Sequence, residues 1–301
     1  MRTGIVSATL AFLCWGLFPI YFHTLDAVPP LQILAHRMLW SLAFLLIVLG
    51  LRRQWRWLEQ VRQPRVFWSF VASAFLLSAN WLVYIWAVNN GHVIEASLGY
   101  FITPLFNIML GYLILKERLR TVQWAAIALA GLGVAWLTWQ TGTVPWIALF
   151  LAVSFGGYGL LRKTAALGAL EGLSFETMVL FPIAAAYVAW LSFNGTNAFV
   201  NTPSDTTRLL LVAAGPITAI PLLLFANGAR QLPLSILGLL QYLSPTMQFL
   251  LGVLLFKEAF TVDRLTGFAL IWIALLLFAG EGLLRHSKEE AQAQPKVSRE
   301  G

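Results

Sequence analysis

From residue 3 to residue 283 the chain is a succession of apolar runs parted by short polar loops. That pattern leaves few folds open. A helix crosses a bilayer with about 20 largely apolar residues, and ten runs meet that length: 3–22, 31–51, 66–88, 94–115, 121–139, 144–162, 174–193, 208–229, 234–256 and 262–283. Hydrophobic residues make up 59% of the chain and charged ones 11%, against about 25% charged in soluble domains. The expected fold is an all-α integral membrane protein of ten transmembrane helices.

Two of these spans repeat one another. Glu95–Glu117 and Ile236–Glu258 share a layout in which Pro104 answers Pro245, Gly111 answers Gly252, and Lys116–Glu117 answers Lys257–Glu258, each pair 141 positions apart. The same offset aligns Gly16 with Gly157 and Leu98 with Leu239. The chain therefore divides into residues 1–140 and 141–284, two five-span repeats, followed by a charged tail, 285–301, expected to be disordered and cytoplasmic. Five is odd, so two such halves lie upside down relative to each other. Inverted repeats of this kind underlie alternating access in many secondary transporters, with the substrate near the midplane.

With the N-terminus in the cytoplasm, most of the 20 Lys and Arg fall on the inner side, which places both termini there. The net charge of +7 thus belongs to orientation, and no nucleic-acid partner is expected. The first span reads as a retained helix, not a removed signal peptide. The single cysteine, Cys14, cannot pair within the chain. No zinc spacing, hydrolase motif or Walker A sequence is present, so neither metal, cofactor nor enzymatic activity is expected. Gly156, Gly157 and Gly159 favour close helix approach.

Polar groups inside hydrocarbon are expensive and usually face a bundle interior or a wet cavity. The candidates of this kind are Trp15, Tyr21, His36, Arg37, Asn80, Trp81, Tyr84, Glu95, Tyr100, Asn107, Tyr158, Glu176, Gln241 and Tyr242. Arg37 and Glu95 sit at similar depth near the outer side. Paired, they form an outer gate, an anchor for an anionic substrate, or a static structural pair. His36 offers a ring for proton coupling or a structural role. Arg162, Glu176 and Arg230 sit near inner helix ends, where surface charges are the plainer reading. Tyr100 and Gln241 each stand four residues before a proline, where a backbone carbonyl loses its donor. Together with Asn107 and Tyr242 they mark a proposed central level. Asn80 and Tyr84 share a helical face in a cluster that includes Trp81, suited to planar, amphipathic solutes.

The segments CWGLFPIYF (14–22), ILAHRMLWS (33–41), NWLVYIWAVNNGHVIEASLGYFITPLFNIMLG (80–111), YGLLRK (158–163), ETMVLFP (176–182) and LGLLQYLSPTMQFLLGV (237–253) resemble the RarD-type permeases of the EamA branch of the drug/metabolite transporter superfamily. The resemblance covers roughly residues 4–283. It implies a ten-helix protein of the bacterial inner membrane that moves small organic metabolites or drugs, with helices 1–4 and 6–9 around the cavity and 5 and 10 at the periphery. The implied partners are a small-molecule substrate and the lipid bilayer; a homodimer is compatible with the sequence. Related small multidrug exporters carry a glutamate in their first helix, whereas this first span has no acidic residue. Coupling to protons would then fall to His36, Glu95 or Glu176. A membrane protein that binds or regulates a partner without transport is the alternative.

Overall fold

The computed structural model describes residues 2–293, apart from 54, 115, 117, 118, 164, 165, 203 and 232–239. The described residues form helices and connecting turns: α1 (Arg2–Gly16), α2 (Phe18–His23), α3 (Pro30–Arg52), α4 (Trp57–Val61), α5 (Pro64–Asn89), α6 (Val93–Leu113), α7 (Thr121–Thr141), α8 (Trp146–Lys163), α9 (Ala169–Phe193), α10 (Ala198–Asn201), α11 (Asp205–Gln231), α12 (Leu243–Leu250), a π-helical turn (Leu251–Leu255) and α13 (Val262–Ala293). Six helices among the described residues are long and apolar enough to cross a membrane: α1 with α2, α3, α5, α7, α9 and α11. Three further apolar helices are shorter, and one of them, Trp146–Arg162, has 17 residues. At 1.5 Å per residue it spans about 26 Å, just short of the hydrocarbon core.

Several segments depart from the sequence expectation. The first span is broken at Leu17, because Pro19 offers no backbone donor and begins a new helix, α2. The basic connection 52–65 contains α4, whose Trp57 and Val61 are buried while its polar residues face out. Pro104 lies inside α6, but Pro245 is the third residue of α12. There the missing N–H falls just after a turn at Tyr242 that parts α12 from the helical residues 240 and 241, so the two prolines occupy different settings. The tail is helical as far as Ala293; residues such as Lys288, Glu289, Glu290 and Ala291 are good helix formers and continue α13. Residues 294–301 lie outside the described part.

The helices pack in pairs: α7 with α13, α6 with α8, α1 and α3 with α11, α3 and α5 with α9, α5 with α8, and α12 with α1 and α6. One core lies among α2, α3, α5, α8, α9 and α11. A second joins α6, α7, α8 and α13, which leaves α7 and α13 beside the main bundle. Gly215 lets α11 approach α3 closely, since a Cβ there would meet the Trp40 carbonyl. Lys116 and Lys257 both take the left-handed conformation, with φ of 56° and 57°, in the turns that follow α6 and the π-helical turn.

Candidate functional site

The break between α1 and α2 turns Phe18, Tyr21 and Phe22 toward α3, and Arg37 occupies the space between them and α5. Its guanidinium lies 3.9 Å from the centre of the Trp81 ring and 5.5–5.6 Å from Phe18 and Phe22. Nε donates to Thr218 Oγ1 on α11 at 2.6 Å, and that hydroxyl donates on to the Ala214 carbonyl. Arg37 is only 2% exposed, and its Nη1 has no hydrogen-bond partner. Among the described residues no carboxylate stands within ion-pair distance. A cation–π contact in a dry site contributes about 2 kcal/mol, less than the several kcal/mol of burying a charge. Among the described residues this cation is left short of counter-charge.

Aromatic and amide groups continue the wall. Tyr84 packs on Phe22 and on Tyr100, with ring centres 5.9 and 5.7 Å apart. Tyr84 is buried and its hydroxyl is unpartnered. Tyr100 donates to Asn80 Oδ1 at 3.2 Å. Asn80, fully buried, donates to the Leu151 carbonyl and to Ser154 Oγ on α8. Tyr21 donates to the Leu210 carbonyl at 2.8 Å. Four of the predicted site residues, Arg37, Trp81, Tyr84 and Tyr100, thus line one buried place, with Asn80 and Tyr21 holding its edges.

A second buried charge, Glu176 on α9, meets α5 at Ser73, two turns from Trp81. Glu176 is 1% exposed; its Oε1 stands 2.6 Å from Ser73 Oγ and 3.8 Å from Arg162 Nη1. Arg162 also donates to the Gly168 carbonyl and stacks over Phe70. Gly172 leaves room for the guanidinium, which any Cβ would meet. Tyr158, packed on Phe155, lies within electrostatic reach of the carboxylate. Glu176 and Arg162 therefore form a buried pair and are not independent surface charges. From Ser73 to Trp81 is eight residues of helix, about 12 Å.

Other expected groupings are not assembled. Arg37 and Glu95 do not pair. Glu95 instead accepts from the Ile147 amide at 3.3 Å, in the first turn of α8, and lies 3.8 Å from His92. Depth along a helix is legible in a sequence, but the direction a side chain faces is set by which helix packs there. The helix N-terminus offers free amides and a positive dipole end, which attract a carboxylate. His36 stacks on Phe199 with ring centres 5.3 Å apart and lies beside the Asn197 side chain. Trp15 packs on Phe12 and Phe225, and its carbonyl accepts from Gln248. Asn107 is exposed beside Gly156. Tyr242 packs with the second core, with an unpartnered hydroxyl, and Gln241 is half-buried. The proposed level of Tyr100, Asn107, Gln241 and Tyr242 is therefore spread over different surroundings. The side chain of Arg230 lies outside the described residues.

Thr218, Ser73 and Ser154 were not singled out by sequence. Hydroxyls in apolar helices routinely bond their own backbone, so nothing marks which of them face a charge. Glu258 is a further addition: its carboxylate accepts from the Val93 and Ile94 amides at 2.6 and 2.9 Å and caps α6. Burial pushes this carboxyl above its ordinary range, and the two amides pull it back. Its place in the repeated Lys–Glu pair was the available signal.

Comparison with known proteins agrees with a transporter fold. The model of the EamA-like transporter family matches residues 2–139. A Pseudomonas aeruginosa protein described as an uncharacterized transporter is 47% identical over 282 residues, 93% of this chain and 94% of that protein. Protein RarD of Escherichia coli is 44% identical over 283 residues, 94% of this chain and 95% of its own length. The chloramphenicol-sensitive protein RarD of Pseudomonas aeruginosa is 33% identical, covering 91% of this chain and 92% of that protein. One solved crystal structure superposes with a TM-score of 0.58 at 21% identity, covering 91% of this chain and 96% of that chain; this likeness speaks to the fold alone. By its full-length similarity to these relatives, the chain belongs to the EamA-like transporter family, among the RarD-type proteins.

Proposed function

We propose that the chain is a secondary transporter that carries small organic metabolites or drugs across the bacterial inner membrane by alternating access. In this reading its ten spans form two inverted five-helix repeats, 1–140 and 141–284, with both termini cytoplasmic. The solute binds between the repeats, against Arg37, Trp81, Tyr84, Tyr100 and Asn80. The observation that carries the reading is Arg37, a buried cation walled by aromatic rings, with no carboxylate at ion-pair distance among the described residues. An intramembrane ionisable group of this kind marks a functional site by default.

Three features support the repeat. Exchanging the halves maps the helix pairings onto themselves: α6 with α8 becomes α12 with α1, α1 with α11 becomes α8 with α5, and α3 with α11 becomes α9 with α5. Lys116 and Lys257, 141 positions apart, share one unusual backbone conformation. The family match ends at residue 139, close to the length of one repeat. In this topology Arg37 lies in the outer half of the membrane and the Arg162–Glu176 pair in the inner half. The name of one relative links that protein to chloramphenicol sensitivity, in keeping with a small organic solute.

The test compares small molecules inside and outside cells that express the chain, lack it, or express Asn80→Ala. The expected outcome is that the wild type alone shifts the distribution of at least one organic solute. Asn80→Ala reduces that effect by about tenfold or more, as loss of a buried hydrogen-bonding group implies. Identical distributions in all three would overturn the reading.

A further inference from the structure

We infer that the solute is an organic anion, whose carboxylate or similar oxyanion pairs with Arg37 while its apolar body packs against Trp81, Tyr84 and Tyr100. The inference rests on the transport reading above and names the class of substrate for that site.

The contrast between the two buried arginines carries it. Arg162 is less deeply buried than Arg37, with 16% of its side chain exposed, and yet there the chain supplies Glu176. Among the described residues Arg37 has no such acid. The residue aligned with Glu176 at the 141 offset is Ala35, and the acid expected beside Arg37, Glu95, is committed to the first turn of α8. The guanidinium spends Nε on Thr218 and one face on Trp81, which leaves Nη1 without an acceptor. A planar guanidinium with an unused Nη1 is a ready donor to an oxygen of a carboxylate or phosphate. The unpartnered Tyr84 hydroxyl is a further donor at the same place. A neutral solute would leave the guanidinium uncompensated, and a cationic one would add repulsion. The three rings favour a body that is flat and apolar.

The experiment measures the unfolding midpoint of the purified full-length chain in detergent with matched probes. Phenylacetate and indole-3-acetate are set beside their neutral amides, phenyl phosphate beside phenol, and phenethylamine serves as the cation. The expected result is that at least one oxyanion raises the midpoint while its neutral counterpart does not. The carboxylate and phosphate arms show which head group is preferred. Arg37→Gln should weaken that binding at least about tenfold, and Arg37→Lys, which keeps the charge but loses the fork, should weaken it less. Should Arg37→Gln fail to fold, Tyr84→Phe takes its place and should weaken the oxyanion several-fold.

Equal shifts from anions and their neutral counterparts, a response to the amine alone, an oxyanion shift untouched by the substitutions, or silence of the whole panel would each overturn the inference. If cells expressing the wild type redistribute a neutral or cationic solute, the inference falls and the transport reading stands. If they redistribute nothing, the transport reading falls.

Discussion

Replacing Arg162 with methionine will destabilise the folded chain by roughly 3–5 kcal/mol, the usual consequence of stranding one partner of a buried ion pair. The stranded group is Glu176, 1% exposed, with the Ser73 hydroxyl at 2.6 Å and Tyr158 beside it. The reverse substitution, Glu176→Gln, should be milder, about 1–2 kcal/mol. Arg162 then keeps the Gly168 carbonyl and the Phe70 ring, and its side chain is 16% exposed and can reach toward the membrane surface. The double variant Arg162→Met with Glu176→Leu removes both charges and should recover most of the loss. Thermal unfolding of the wild type, Arg162→Met, Glu176→Leu and the double variant in the same detergent measures this cycle. Strict additivity of the two single effects would show that the pair contributes nothing.

Trp81→Ala should have an effect of similar size, about 3 kcal/mol, at the low end of aromatic-to-alanine substitutions. Lipid is itself apolar, so a membrane protein loses less from the transfer of the ring than a soluble one does. The cavity and the lost cation–π contact remain, and the guanidinium 3.9 Å from the ring is left facing a void. Trp81→Phe keeps a ring over Arg37 and should recover both stability and transport. Unfolding midpoints and solute redistribution, measured on both variants, separate packing from function. Equal transport by Trp81→Ala and wild type would remove Trp81 from the solute's path.

What could be read from the sequence follows from the solvent. The bilayer demands long apolar runs, so the positions of the helices were legible almost everywhere, and the 141-residue offset tied Lys257–Glu258 to Lys116–Glu117. The local chemistry of proline was legible only in part. Pro104 and Pro245 look alike in sequence, yet one lies within a helix and the other in a first turn, while Pro19 divides the first span. Arg37 stood out because a charge in an apolar span is rare. Its surroundings did not, because partners such as Thr218 come from a helix 181 positions away. The same limit misplaced Glu95, whose side chain turns to α8. Polar residues that shared a level in the sequence, such as Tyr100 and Tyr242, divide between two cores.

The central claim is that the region between the two buried charge clusters opens to each side of the membrane in turn. Leu77, 4% exposed and midway between Ser73 and Trp81 on α5, reports on it. In a Cys14→Ser background, Leu77→Cys is exposed to a membrane-impermeant maleimide in right-side-out and in inside-out vesicles. Alternating access predicts slow labelling from both sides. Labelling from one side only, or from neither, would contradict it.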